Sequence, residues 1–201
     1  MSKLSNIYVF GCGGVGSWVA EYVARSGLSE VISLIDYDIV EEKNLTRQNY
    51  TKGDEGSTKA NALLRRLKSL VTDSNDFEVL VYNRKILSAV DLVSFNKGDL
   101  AIIATDNVSS KRLIAGHFGR FLLVNCDQNF VEVKNHLDAK ELNAWDMGGG
   151  YSNEQDLTAN TFAALVIHKF IRDGRWTSER KWAYTTKIEN DIDEKRLVTG
   201  R

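Results

Sequence analysis

Ile7-Tyr8-Val9-Phe10 is a continuous apolar run that breaks into Gly11-Cys12-Gly13-Gly14-Val15-Gly16. An unbroken apolar run closed by glycines predicts a buried strand and a tight turn. Val15, Val19, Tyr22 and Val23 then recur at helical spacing, Gly27 ends that helix, and Val31 to Ile35 is a second apolar strand closed by Asp36. A polar stretch, 38–58, precedes a helix over 59–70 with Leu63, Leu64 and Leu67 on its apolar side. Further on, 77–82 alternates as a third strand, 88–95 is expected as a short helix, and 99–105 is a fourth strand. A helix over 107–117 and a strand over 121–125 follow.

Strands alternating with helices require a mainly parallel sheet with right-handed crossovers. The fold class expected is α/β, a Rossmann-like mainly parallel sheet with helices on both faces. Phe130 to Lys134 alternates in a way that suits an antiparallel strand toward the C-terminus. Gly148-Gly149-Gly150 marks a flexible stretch within 138–153, and 156–171 returns to helix with Asp156 or Thr158 at its cap. The last 30 residues read as a final strand or a tail. We expect one domain over 1–201, with a nucleotide-binding core over about 7–127 and a C-terminal substrate or dimer region over 128–201.

The 201 residues are 43% hydrophobic and 26% charged with a net charge of -1, enough apolar content for a core and no basic surplus for nucleic acid or anionic membrane. No apolar run approaches the roughly 18 residues of a membrane span, and residues 1–6 are too few for a secretory leader. Two cysteines, Cys12 and Cys126, cannot build a four-cysteine zinc site. A reduced, cytoplasmic protein is expected. There is no proline, hence no proline-rich linker.

A strand ending in GxGxxG before a helix brings backbone N–H groups and the positive end of the helix dipole against phosphate. Asp36 stands 20 residues after Gly16, where an acid can bind ribose hydroxyls. The bare motif serves dinucleotides and ATP alike. A nicotinamide enzyme needs little beyond the ribose acid and a hydride site, whereas splitting ATP requires groups for three phosphates and a metal. Arg47 in the polar stretch, Lys59 at the start of the next helix, and Asp106-Asn107 after the fourth strand supply such groups. In an open parallel sheet the carboxyl ends of the strands line one crevice, where these residues should meet.

Gly-Cys-Gly-Gly-Val-Gly-Ser at 11–17, Leu34-Ile35-Asp36-Tyr37-Asp38, Asn44-Leu45-Thr46-Arg47-Gln48, Lys59, and Ala104-Thr105-Asp106-Asn107 occur in order over about 7–127. This set resembles the ThiF/MoeB/HesA family, whose nucleotide-binding fold is shared with ubiquitin-activating enzymes. The resemblance implies magnesium-ATP-dependent adenylation of the C-terminal carboxylate of a small ubiquitin-like or sulfur-carrier protein or peptide, in a homodimer. It implies that Gly11, Gly13, Gly14 and Gly16 form the ATP turn, that Asp36 with Asp38 serves the ribose side, and that Asn44, Arg47 and Lys59 contact phosphates. Gln48 would orient the arginine, and Asp106, beside Asn107, would hold magnesium. Arg47, Lys59 and Asp106 would be the catalytic set.

The chain departs from that pattern in three places. It has no paired Cys-x-x-Cys motifs, no cysteine over 127–201 for a thioester or persulfide, and no helix ahead of strand one to lend an arginine to a neighbouring ATP site. Two rival readings are a catalytically silent nucleotide- or partner-binding scaffold, motivated by those departures, and an NAD-dependent oxidoreductase, for which Arg47, Lys59 and Asp106 are superfluous. Cys12 and Cys126 read as structural, and Asp106 has a second possible role as a helix N-cap. His117, His136 and His168 lack ligand spacing, and Trp18, Trp145, Trp176 and Trp182 suit core or dimer contacts.

Overall fold

A computed structural model describes residues 3–72, 75–127, 130–136, 156–177 and 180–187. The sheet runs through strands β1 (Leu4–Phe10), β2 (Ser29–Ile35), β3 (Glu78–Tyr82), β4 (Leu100–Ile103), β5 (Phe121–Asp127), β6 (Phe130–Lys134) and β7 (Ala183–Lys187). Their order is β3-β2-β1-β4-β5-β6-β7. The first five are parallel neighbours, and β6 and β7 are antiparallel additions at one edge. The helices are α1 (Gly14–Ser26), α2 (Lys59–Lys68), α3 (Val108–His117) and α4 (Leu157–Arg172).

The strands are apolar on both sides because both faces are covered, as in other parallel sheets. Ile7, Val9, Ile32, Leu34, Leu100, Ile102, Leu122 and Val124 share one core with apolar residues of α1, α2 and α4. Tyr8, Phe10, Ala101, Ile103 and Leu123 point the other way, into a core with Ile114 of α3, Leu92, Phe95 and Phe118. Phe10 and Phe95 meet edge to face with ring centroids 5.5 Å apart, a favoured aromatic geometry.

The α/β class, the order of elements and the antiparallel C-terminal strands match the sequence expectation. The helix expected over 88–95 is instead a single 3-10 turn, Ala89–Leu92. Asp91 folds back so that its Oδ2 accepts the N–H groups of both Leu87 and Ser88, which closes one turn and no more. Leu92 and Phe95 are buried while Leu87, Val90 and Val93 face solvent, so no helical stripe forms. The fourth strand is shorter than expected, Leu100–Ile103, and α2 stops at Lys68. Asp156 caps α4, its Oδ1 accepting the Ala159 N–H at 2.7 Å. The glycine triplet at 148–150 and Trp145 lie outside the described residues. No described helix is long and apolar enough to cross a membrane.

Candidate functional site

Parallel neighbours β2 and β4 flank β1, so the chain leaves β1 at the point where strand order reverses, and there the carboxyl ends open into a crevice. Gly11 turns the chain at φ +88°, its N–H donating to Ile35 O at 2.9 Å. A Cβ on Gly11 would lie 2.8 Å from Ala104 O, and one on Gly16 would lie 1.8 Å from Gly11 O. Both glycines are demanded by packing of the turn. Gly13 is different: it precedes α1 as the N-cap, and a Cβ there would meet nothing within 4 Å. Space is therefore open in front of a helix N-terminus, and Gly14 begins the helix itself.

Asp36 closes β2 beside that turn. Its Oδ2 accepts the Cys12 N–H at 2.6 Å and its Oδ1 accepts the Asp38 N–H at 2.8 Å. Burial pushes this carboxyl above its usual range, against the pull of those two N–H groups and of Lys59. The Lys59 ammonium donates to Asp38 Oδ2 at 2.9 Å and is one-tenth exposed, whereas the Asp38 side chain is 45% exposed. The structure thus links the glycine turn at Cys12 with Asp36, Asp38 and Lys59 in one continuous set of contacts.

Arg47 and Gln48 sit on the turn that follows Glu42–Asn44, with both their N–H groups donating to Asn44 O. Nε of Arg47 and Oε1 of the buried Gln48 are enclosed polar atoms with no hydrogen-bond partner in the protein. Asn44 is buried, and its Oδ1 accepts the Glu41 N–H at 2.9 Å; its amide oxygen is committed to shaping the turn.

Asp106 follows β4 and is exposed. The alternative that Asp106 caps the next helix is corrected by the structure: Asn107 is the N-cap of α3, its Oδ1 accepting the Ser110 N–H at 3.0 Å. The cap needs an acceptor three residues before its donor, and Asn107 has that spacing. The Asp106 carboxylate is left out of the cap. No group of three or more acidic, histidine or cysteine side chains is placed to hold a metal among the described residues.

Several polar residues that support this site carry no motif signal. Tyr50 is buried and donates its hydroxyl to Cys12 O at 2.6 Å, pinning the glycine turn from the loop side. Asn49 donates its N–H to Ser17 Oγ at 3.1 Å and its amide to Glu21 Oε2, and Glu21 also pairs with Arg66 at 2.6 Å and Arg25 at 2.7 Å. One signal was available: Ser17 and Glu21 form a polar i, i+4 pair beside the Val15, Val19, Val23 stripe. Burial raises the Cys12 thiol well above its usual range, with Asp36 adding to the effect, and burial pushes Cys126 up to about 12. Neither thiol is a ready nucleophile.

The ThiF family pattern matches residues 2–118, more than half the chain. The chain belongs to the ThiF family. It is 32% identical over 114 residues to the pig adenylyltransferase and sulfurtransferase MOCS3, covering 55% of this chain and 24% of that protein. It is also 32% identical over 114 residues to a probable molybdopterin-synthase adenylyltransferase of Porphyra purpurea, covering 56% of this chain and 29% of that one. The chain thus spans about a quarter of the length of these curated relatives. Among solved structures, E. coli MccB in complex with AMPCPP and MccA superposes with a TM-score of 0.66 at 19% identity, over 92% of this chain and 65% of MccB. MccB with ATP gives a TM-score of 0.65 at 18% identity, over 92% of this chain and 64% of that one. At that identity the likeness is one of fold.

Proposed function

We propose that this ThiF-family chain uses ATP to adenylate the C-terminal carboxylate of a small ubiquitin-like or sulfur-carrier protein or peptide, releasing pyrophosphate. The observation that supports this reading is the open helix N-terminus at Gly13 next to a turn whose Cys12 N–H is held by Asp36, with Lys59 paired to the neighbouring Asp38. The MOCS3 relatives named as adenylyltransferases support it.

In the proposed reaction a carboxylate oxygen attacks the α-phosphorus, the new C–O–P link forms, and the bond to the bridging β-phosphate oxygen breaks. No proton moves, so no general base is required. What the site must supply is positioning and positive charge for the phosphate oxygens. The Gly11–Gly16 turn and the N-terminus of α1 would meet the phosphates. Arg47 and Lys59 would add cations, with Gln48 beside the arginine and Asn44 and Asn107 shaping the walls. Two N–H groups occupy part of the acceptor capacity of Asp36, and the rest of its lone pairs would serve the ribose hydroxyls, with Asp38 alongside.

Magnesium binds through one or two carboxylates, substrate phosphates and water rather than an all-protein cage. An exposed single carboxylate, Asp106, beside the crevice fits that demand, and magnesium would there neutralise phosphate charge. We further propose a homodimer working in the cytoplasm, with residues 128–201 serving the substrate or the partner copy.

The test is ATP–pyrophosphate exchange with labelled pyrophosphate and a panel of carriers and peptides with free C-termini. Carrier-dependent exchange is expected, with Arg47→Ala and Asp106→Ala each lowering it at least 100-fold, about 2.7 kcal/mol of transition-state stabilisation. Exchange that survives both substitutions sinks the mechanism. Thermal stabilisation by NAD and not by magnesium-ATP would favour the oxidoreductase instead.

A further inference from the structure

α4 buries Ala159, Ala163, Ala164, Ile167, Phe170 and Ile171, and among them Asn160 has 0% exposure. An amide in that setting is costly unless both its ends are hydrogen-bonded. Asn160 Nδ2 donates to Arg47 O at 3.2 Å, and its Oδ1 accepts the Cys126 thiol at 3.7 Å. A peptide oxygen only accepts, so the amide nitrogen must face Arg47, and the carbonyl end then meets an S–H donor. One orientation of the side chain satisfies both ends.

The same Arg47 oxygen accepts a second bond, from Trp18 Nε1 of α1 at 3.3 Å. Both lone pairs of that oxygen are thus taken by side chains from two helices packed on the same face of the sheet. Asn160 is in the first turn of α4, which Asp156 anchors through Ala159. Nε of Arg47, in contrast, has no partner within the protein. The backbone of Arg47 is thus held from two helices, while the residue itself is only partly buried.

We infer that Asn160 is a positioning residue for Arg47, holding its carbonyl so that the guanidinium meets the phosphates without first losing backbone freedom. The inference rests on the proposed role of Arg47 at ATP. It gives the chain beyond residue 118, the end of the family match, a part in the nucleotide site. It also gives Cys126 a task, as the donor that completes the amide.

The test compares magnesium-ATP with adenosine, which has no phosphates, by calorimetric titration of the full chain. Asn160→Asp keeps the size and the acceptor facing Cys126 but turns an acceptor on Arg47 O. It is expected to weaken ATP binding about tenfold, the equivalent of one net hydrogen bond, while adenosine affinity stays within about twofold. In an Arg47→Ala background Asn160→Ala should cause no further loss. Unchanged ATP affinity, equal losses for ATP and adenosine, or an undiminished loss without Arg47 would each overturn the inference. If the Asn160 variants do not fold, Trp18→Phe removes the other donor to the same oxygen, and selective weakening of ATP is again expected; its absence overturns the inference. Wild-type chain that binds no ATP overturns the adenylation reading first, and this inference with it.

Discussion

The carboxylate that ends β2 holds the turn that ends β1: Asp36 Oδ2 lies 2.6 Å from the Cys12 nitrogen. Two neighbouring strands are thereby locked at their carboxyl ends, where the crevice opens. Burial raises the Asp36 carboxyl, so the folded chain keeps this proton to higher pH than the unfolded chain does. Folding stability should therefore fall as pH rises from about 4, the ordinary carboxylate value, through the raised value. Denaturant titrations across that range should show the falling limb in wild type and its loss in Asp36→Asn.

Gly16 and Gly13 should respond in opposite ways to the same methyl group. Gly16→Ala places a Cβ on Gly11 O and should cost more than about 3 kcal/mol of stability or prevent folding. Gly13→Ala meets no atom within 4 Å and should change stability by less than about 1 kcal/mol. Its methyl group stands in the space before the helix N-terminus, so ATP affinity should drop at least tenfold. Thermal melts with and without ATP separate the two effects.

Glu21 is the hub that ties the Asn49 loop and α2 to α1. Burial raises its carboxyl, but the bonds from Asn49, Arg66 and Arg25 outweigh burial and leave it below its usual range. Its contribution is present above the unfolded value of about 4.3 and lost as pH falls through the folded one. Glu21→Gln should cost about 1–3 kcal/mol at neutral pH, and the difference from wild type should shrink under acid. A difference independent of pH would contradict this account.

Lys111 is buried, donating to Asn125 Oδ1 at 2.7 Å, and burial lowers its ammonium to about 8, with Asp106 the largest opposing charge. The unfolded chain holds that proton up to about 10.4. Between those values unfolding takes up a proton, so stability should rise with pH, and the rise should be absent from Lys111→Met. Denaturation midpoints at pH 7.5, 8.5 and 9.5 measure it.

What the sequence alone determined is the layout of the crevice at the carboxyl ends of the strands. Apolar runs of strand length, helical spacing and glycine punctuation are local signals, and parallel strands separated by helices have few arrangements open to them. The positions of Gly11, Asp36, Lys59 and Asp106 at strand or helix ends follow from that layout. Where apolar spacing was ambiguous, as over 88–95, a local cap at Asp91 decided the outcome, and at Asp106-Asn107 a one-residue difference in spacing assigned the cap to Asn107.

Only the tertiary structure decided which buried polar groups share a partner. Periodicity states which face of an element is covered, not which atom lies across from it. Asn160 and Arg47 are 113 positions apart, and Tyr50 and Cys12 are 38 apart, yet each pair shares a hydrogen bond that neither segment encodes by itself. Such partners are selected by the cost of leaving an enclosed donor or acceptor unpaired, and that cost is set only once the helices have packed on the sheet.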